Sequence, residues 1–433
     1  MFSVSTFLWS LFDWSESTGH FRRVRLPELV VPFIAFVQRF RYFRVRYGLS
    51  RRIRKRRLKV VFLIGDATKW KGQTVYESML HSDEFDPYVA PTVLDAGFFA
   101  DSELTLRLER CRSAFQDMGL RILDVCDPRT AQPLPLSDFG VDIVIYLQPW
   151  SVPRCQHPIE VARYALTFYL PYCVYALGDD RYEMFDMPFM RWLSVLFMQS
   201  KAWVEYFKST SSIFRPGPEL WPVGIPHCEM LQIGNDSNVS NVVIYAPHWS
   251  FHHKKNISKY YLSTFAENGQ IILAFAKAHP EIHWIFRPHP GLRSKLLSTG
   301  LMTMAQVDGY FNEWRAIGEV SETGDYLSLF QRSSAMVTDC VTFLTEYLLT
   351  GKPLIRLVAI PEYEPLPPSK RLMDAFYEVR SERELFEVFD KVLIRHEDDM
   401  KGIRAQVVKD MGYERLDATE QIMCRMRQML HCL

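Results

Sequence analysis

From Leu58 onward the chain alternates short apolar runs with amphipathic stretches. The first run is KVVFLIGD, five apolar residues from Val60 to Ile64 that end at Gly65-Asp66, and a helix-like VYESMLHS follows. An apolar run of this length, closed by a glycine turn, predicts a strand buried on both faces, as in a parallel sheet. PYVAPTVL, LRILDV and DIVIYLQP repeat the strand pattern, with an amphipathic segment at 103–118 between the first two, and a short helix at 160–167 leads into PYCVYAL. A second series starts near Val239. It comprises the strand VSNVVIYAP, a helix in YLSTFAENGQIILAFAKAH, the strand IHWIFRP, a helix over 292–305, the helix YLSLFQRS, the strand SAMVTD, the helix VTFLTEYLLTG and the strand PLIRLV. Such alternation predicts an α/β chain of two Rossmann-like doubly wound domains. The stretch 215–238 is dense in Pro, Gly, Asn and Asp, as an interdomain crossing should be, and the residues from Asp398 onward read as helical. The expected divisions are 1–57, 58–225, 239–397 and 398–433, the last a C-terminal helix able to cross back onto the first domain.

The 433 residues are 48% hydrophobic, with 51 Lys+Arg against 50 Asp+Glu, which excludes disorder, collagen and a disulfide miniprotein. The eight cysteines show no C-x-x-C pair and no spacing suited to zinc, so no metal site is assigned and a reducing cytoplasm fits. No apolar run is long enough for a membrane span, and the start lacks the features of a signal peptide. The even overall charge hides one local excess. Residues 22–59 hold fourteen Arg/Lys and a single acid, Glu28. Phe33, Phe36, Phe40 and Phe43 recur there at helical spacing among Arg39, Arg41, Arg44 and Arg46, ahead of the run RRIRKRRLK. This is the pattern of a basic amphipathic arm on an anionic membrane surface; a nucleic acid is the rival partner and is not expected, and an arm packed on the protein is the bland alternative.

Ligands of doubly wound sheets bind beyond the carboxyl ends of strands, so the loops there hold the candidate chemistry. Asp66, in GDATKWKGQ, is either a proton acceptor for an acceptor hydroxyl or a helix cap. His248 leads YAPHWSFHHKK, where three histidines and two lysines in eight residues suit a phosphate and a base or acid near neutral pH. Metal ligation by His248, His252 and His253 is disfavoured for want of a nearby carboxylate. In FRPHPG the prolines stiffen a turn that presents Arg287 and His289, a guanidinium fork for phosphate oxygens and an imidazole for a leaving phosphate. In MVTDCVTFLTEY, Thr338 and Thr342 bring hydroxyls to a helix N-terminus that favours an anion, while Asp339 or Glu346 suits a ribose diol; capping is the plain alternative for Thr and Asp.

YAPHW at 245–249, RPHP at 287–290 and TDCVTFLTEYLLTGKPLI at 338–355 together resemble the CDP-glycerol glycerophosphotransferase family, teichoic-acid-type polyol-phosphate transferases of the GT-B fold. The resemblance covers the second domain over about 240–360 and the first only through its opening strand-Gly-Asp loop. It implies two Rossmann-like domains facing across a cleft, an acceptor domain followed by a nucleotide-donor domain. It also implies donor contacts from Arg287, His289, Thr338, Asp339 and Thr342, with Glu346 at the family's aspartate position. The chain departs from the pattern at Gly224-Ile225-Pro226-His227-Cys228-Glu229, at Val341, and at His248 and Ser250, changes that bear on the donor more than on the fold.

The expected function is transfer of glycerol- or ribitol-phosphate from a CDP-activated donor to a glycan or lipid-linked acceptor in cell-surface polysaccharide synthesis, by a cytoplasmic protein peripheral to the inner face of the plasma membrane through residues 22–59. Asp66, His248 and His289 form the catalytic set. No cofactor is required beyond the nucleotide-activated donor, and a divalent cation is compatible with the site without being demanded. The alternatives are a GT-B glycosyltransferase using a nucleotide sugar and a non-catalytic membrane-peripheral scaffold.

Overall fold

The computed structural model describes residues 31–94, 101–172, 188–210, 217–231, 241–251, 261–322, 326–414 and 416–431. They form two compact units. The first contains the described residues up to Tyr172, those from 188 to His227, and 416–431; the second runs from Cys228 to Glu414.

The first unit is a parallel sheet in the order β2-β1-β3-β4-β5-β6, formed by β1 (Leu58–Ile64), β2 (Phe85–Pro91), β3 (Ile143–Tyr146), β4 (Leu166–Tyr169), β5 (Val195–Met198) and β6 (Glu219–Pro222). Strand β1 pairs β2 from Leu58↔Phe85 to Ile64↔Pro91 and pairs β3 from Val60↔Ile143, so both its edges are occupied. Its side chains are accordingly buried except Lys59, which is half-buried. LRILDV does not form a full strand; Ile122 makes one parallel bridge to Val89, a single rung where a third strand was expected. The expected helix at 160–167 is shorter, Pro158–Val161, because the β-branched and aromatic residues of LTFY pair as β4; PYCVYAL lies from Cys173 onward outside the described residues. The strands VLFM and ELWP were not anticipated from the sequence, each being only four residues long.

Two corrections concern the chain's ends. The segment 398–433 is not one helix. Lys401–Asp410 belongs to the second unit, whereas Ala418–His431 lies on the first, where Ile422, Met423, Met426, Met429 and Leu430 join Phe62, Ile64, Val75 and Met79 in one core. Spacings of three and four residues place those five on one helical face. Nor is 1–57 wholly a detached arm: the helix Val31–Arg52 packs on the first unit, with Val45 and Leu49 in the same core and Arg46 Nε donating to Met429 O at 2.6 Å. The polybasic run is partly spent internally, since Arg52 and Arg56 pair with the fully buried carboxylate of Asp142 at 3.0 and 2.7 Å and Arg57 Nε donates to Phe85 O. The periodicity of this helix is inverted. Gln38 and Arg41 are buried beside Ile34, while Phe36, Phe40, Phe43 and Tyr47 are 56–68% exposed.

The second unit repeats the architecture with β7 (Val242–Ala246), β8 (His283–Phe286), β9 (Gly318–Val320), β10 (Ala335–Thr338), β11 (Leu354–Leu357) and β12 (Tyr377–Val379), all parallel, in the order β12-β11-β10-β7-β8-β9. The order reverses direction between β7 and β10, the point where such sheets open a crevice at their carboxyl ends. The expected helix at 292–305 ends at Thr299, because Gly300 adopts a left-handed φ of 71°. A new helix, Met304–Ile317, starts at a capping box between Thr303 and Gln306. Its Tyr310 and Trp314 face the sheet, and Trp314 stacks on Phe286 at 5.0 Å between ring centroids.

Candidate functional site

The two strands flanking the second switch point are tied together at their ends. Thr338 Oγ1 donates to Ala246 O at 2.6 Å and accepts from Cys340 N at 2.9 Å. Asp339 Oδ1 accepts His248 N at 2.5 Å, and Oδ2 accepts Ser263 Oγ at 3.0 Å and Thr264 N at 2.8 Å. Every donor to Asp339 is uncharged, and burial, opposed by these hydrogen bonds, pushes its carboxyl up to about 6. Thr338, Asp339 and Glu346 are all buried. The hydroxyl of Thr338 and both oxygens of Asp339 brace the loop after β7, a role the sequence did not suggest, and Glu346 is buried in the helix Val341–Leu348. Burial raises the thiol of Cys340 to about 12.

Thr342 and the two loop histidines remain partly accessible. The helix Val341–Leu348 has no side-chain cap, and Thr342 in its first turn is half-buried, so the residues at its start keep N–H groups that the helix itself cannot satisfy. His248 and His289 lie edge-on at 4.9 Å between ring centroids, and Trp249 flanks both, at 5.6 and 6.2 Å. The loops bearing them are laddered: Arg287 N donates to Tyr245 O and His289 N to Pro247 O. Each ring is oriented through Nδ1, which in His289 accepts Gly291 N at 3.0 Å and in His248 accepts Ser250 N at 3.2 Å with Ser250 Oγ 2.8 Å away. An Nδ1 that accepts leaves the proton of a neutral imidazole on Nε2. His248 therefore carries its proton on Nε2. His248 is held neutral, its pKa lowered to about 3 by burial and by the neighbouring His289. Arg287 is pinned by Ser321, its Nη1 donating to O at 3.0 Å and Oγ at 2.9 Å. Lys295 Nζ lies 5.4 Å from the centre of the Trp249 ring.

In the first unit, Asp66 stands where the strand order reverses between β1 and β3. Gly65 N donates to Gln148 Oε1 at 3.2 Å, and a Cβ on Gly65 would meet Leu94 Cγ at 2.6 Å, so the turn needs glycine. Asp66 Oδ1 accepts Thr68 N at 3.0 Å and Thr68 Oγ1 at 2.7 Å, the capping geometry. Asp66 thus does serve as a cap, with Oδ2 outside that arrangement. His252 and His253, and the lysines after them, lie outside the described residues. Sequence reasoning missed the orienting groups Ser250, Ser263, Thr264 and Ser321. Only Ser263-Thr264, directly before a helix, carried a usable signal.

No protein-family model matches the chain, and no curated protein does. Solved structures share its fold. The wall teichoic acid polymerase TagF, in a histidine-to-asparagine variant, aligns with TM-score 0.55 at 10% identity over 91% of this chain and 97% of that one. The UDP-GlcNAc 2-epimerase from Neisseria meningitidis bound to UDP-GlcNAc aligns with TM-score 0.51 at 14% identity over 86% and 100%. A putative UDP-N-acetylglucosamine 2-epimerase from Listeria monocytogenes gives TM-score 0.52 at 12% identity over 87% and 97%. The fold is GT-B.

Proposed function

We propose that this protein is a transferase that moves glycerol- or ribitol-phosphate from a CDP-activated donor to a glycan or lipid-linked acceptor in cell-surface polysaccharide synthesis. The observation that carries this reading is the His248–His289 pair, two imidazoles oriented through Nδ1 at a switch point, beside the helix start at Val341 and the stiff turn of Arg287. Such a set suits a diphosphate. The acceptor oxygen attacks the phosphorus bearing the polyol, a new P–O bond forms, the bridging P–O bond to CMP breaks, and the acceptor proton passes to a carboxylate. In this reading the proton acceptor is Asp66, whose Oδ2 lies outside its capping arrangement, with His248 the alternative base. His289, Arg287 and the helix start, with Thr342, stabilise the charge that develops on the leaving nucleotide. This reaction does not call for a metal.

The working place in this reading is the cytoplasmic face of the plasma membrane. No helix among the described residues is long and apolar enough to cross a membrane. The aromatic row Phe36, Phe40, Phe43 and Tyr47, exposed among Arg39, Arg44 and Arg51, suits adhesion to an anionic bilayer surface.

A donor panel of CDP-glycerol, CDP-ribitol and UDP-, GDP- and CMP-sugars, with a lipid-linked glycan extract, tests the proposal by the nucleotide released. CMP from a CDP-polyol alone supports it, and His289→Ala should then cut turnover by about 100-fold or more. Release of UDP or GDP would establish the second reading, a sugar transferase, which the likeness to UDP-GlcNAc epimerases favours. Silence across the panel would favour a non-catalytic scaffold.

A further inference from the structure

Beside the helix Val31–Arg52 the first unit holds an open cavity of about 940 Å³, within the range of sites that hold a small organic ligand. Its walls include Val45, Ala165, Leu166, Trp192 and Leu220. Leu166 and Glu219 open β4 and β6, and Ser194 immediately precedes β5, so the cavity lies at the amino ends of the strands, across the sheet from the Asp66 loop. A ligand there does not meet the loop that carries the proposed proton acceptor.

Two observations describe what the cavity would take. Its walls divide about evenly between polar and apolar surface, the apolar part including Tyr42, Phe43, Ala162 and Leu220. Second, the lining contains two exposed cations, Arg39 and Lys208, neither of which has an ion-pair partner among the described residues. The one carboxylate of the lining, Glu219, is turned to neutral donors, accepting Tyr42 Oη at 2.5 Å and Trp221 Nε1 at 3.0 Å. Arg39 and Phe43 belong both to this lining and to the exposed face of the helix bearing the aromatic row.

We infer that this cavity binds one anionic phospholipid of the bilayer, an acyl chain entering along Phe43, Ala162 and Leu220 and the phosphate resting on Arg39 and Lys208. The site is an anchor, not an acceptor site. It deepens the membrane reading above, on which it rests for its lipid source, by adding capture of a single molecule to surface adhesion.

The test is isothermal titration of the full chain with dioctanoyl phosphatidylglycerol kept below its micelle concentration. Saturable one-to-one binding is expected, at least tenfold weaker with the phosphatidylcholine analogue, and absent with glycerol phosphate alone. Arg39→Glu with Lys208→Glu, both at exposed positions, should weaken binding at least tenfold, as should Ala162→Trp, which fills the mouth from a half-buried position; unchanged thermal unfolding shows that each variant is folded. No binding by the wild-type chain, equal affinity for the zwitterionic analogue, or undiminished binding by Ala162→Trp overturns the inference. Phe36→Ser with Phe40→Ser separates the two readings. It should reduce adhesion to phosphatidylglycerol vesicles and leave the titration unchanged, whereas vesicle adhesion by a wild-type chain that fails the titration overturns the cavity alone.

Discussion

Asp142 and Asp339 are both buried beside their sheets, and they are satisfied in opposite ways. Asp142 takes two guanidinium groups, from Arg52 and Arg56, and the N–H of Lys59. Asp339 takes only neutral donors, from His248, Ser263 and Thr264. Asp142 lies before β3, at the amino end of its strand, where pairing fastens a basic segment to the domain. Asp339 lies after β10, at the end where ligands bind. No cation is spent on it, and the carboxylate fixes the backbone of His248.

The largest effect should follow from Asp339→Ala, which leaves the N–H of His248, the N–H of Thr264 and the hydroxyl of Ser263 without their acceptor. Chemical denaturation of the second unit should show a loss of about 3–5 kcal/mol. Asp142→Asn should cost less, about 1–2 kcal/mol, because Arg52 and Arg56 are each half exposed and water can replace the lost charge. A loss at Asp142 equal to that at Asp339 would erase the contrast.

The comparison is sharpened by pH. The folded-state pKa of Asp339, about 6, lies above the unfolded value of about 3.9, so its contribution to stability is full below the unfolded value and is lost as pH rises through 6. His248 runs the other way: lowered to about 3, it contributes fully above about 6.5, and that contribution is lost as pH falls toward 3. Between pH 7 and 5 the two therefore oppose each other. His248→Gln should make the protein gain stability on acidification relative to the wild type, and Asp339→Asn should make it lose more, as denaturation midpoints at pH 7 and 5 would record. The smallest effect on stability belongs to Phe36→Ser with Phe40→Ser, within about 0.5 kcal/mol because both rings are exposed.

Much of this fold was legible in the sequence. The long buried strand Leu58–Ile64 and the strands ending at Ala246, Phe286 and Thr338 stand out as apolar runs closed by turn residues. What escaped were four-residue strands such as Val195–Met198, too short for periodicity to register, and the destination of the last helix, which depends on a distant core. In the site, Arg287, His289 and His248 were visible from their loops. The interior roles of Thr338 and Asp339 were not, because a hydroxyl or carboxylate at a strand end reads alike whether it faces a ligand or a neighbouring backbone. The helix Val31–Arg52 was recognised by its aromatic and basic spacing, but which side faces the protein is decided by Trp192, over whose ring Arg41 lies at 5.2 Å, and by the carbonyl of Ile159, which accepts from Arg41.

The helix Ala418–His431, made after the whole second unit, completes the core of the first. During synthesis the first sheet must wait for it, with Phe62, Ile64 and Met79 uncovered while nearly two hundred further residues are translated. A chain truncated at residue 417 and released should thus hold a finished second unit beside an unfinished first one, a state that chaperones would recognise and that a protease would cut within the earlier sequence, not the later one.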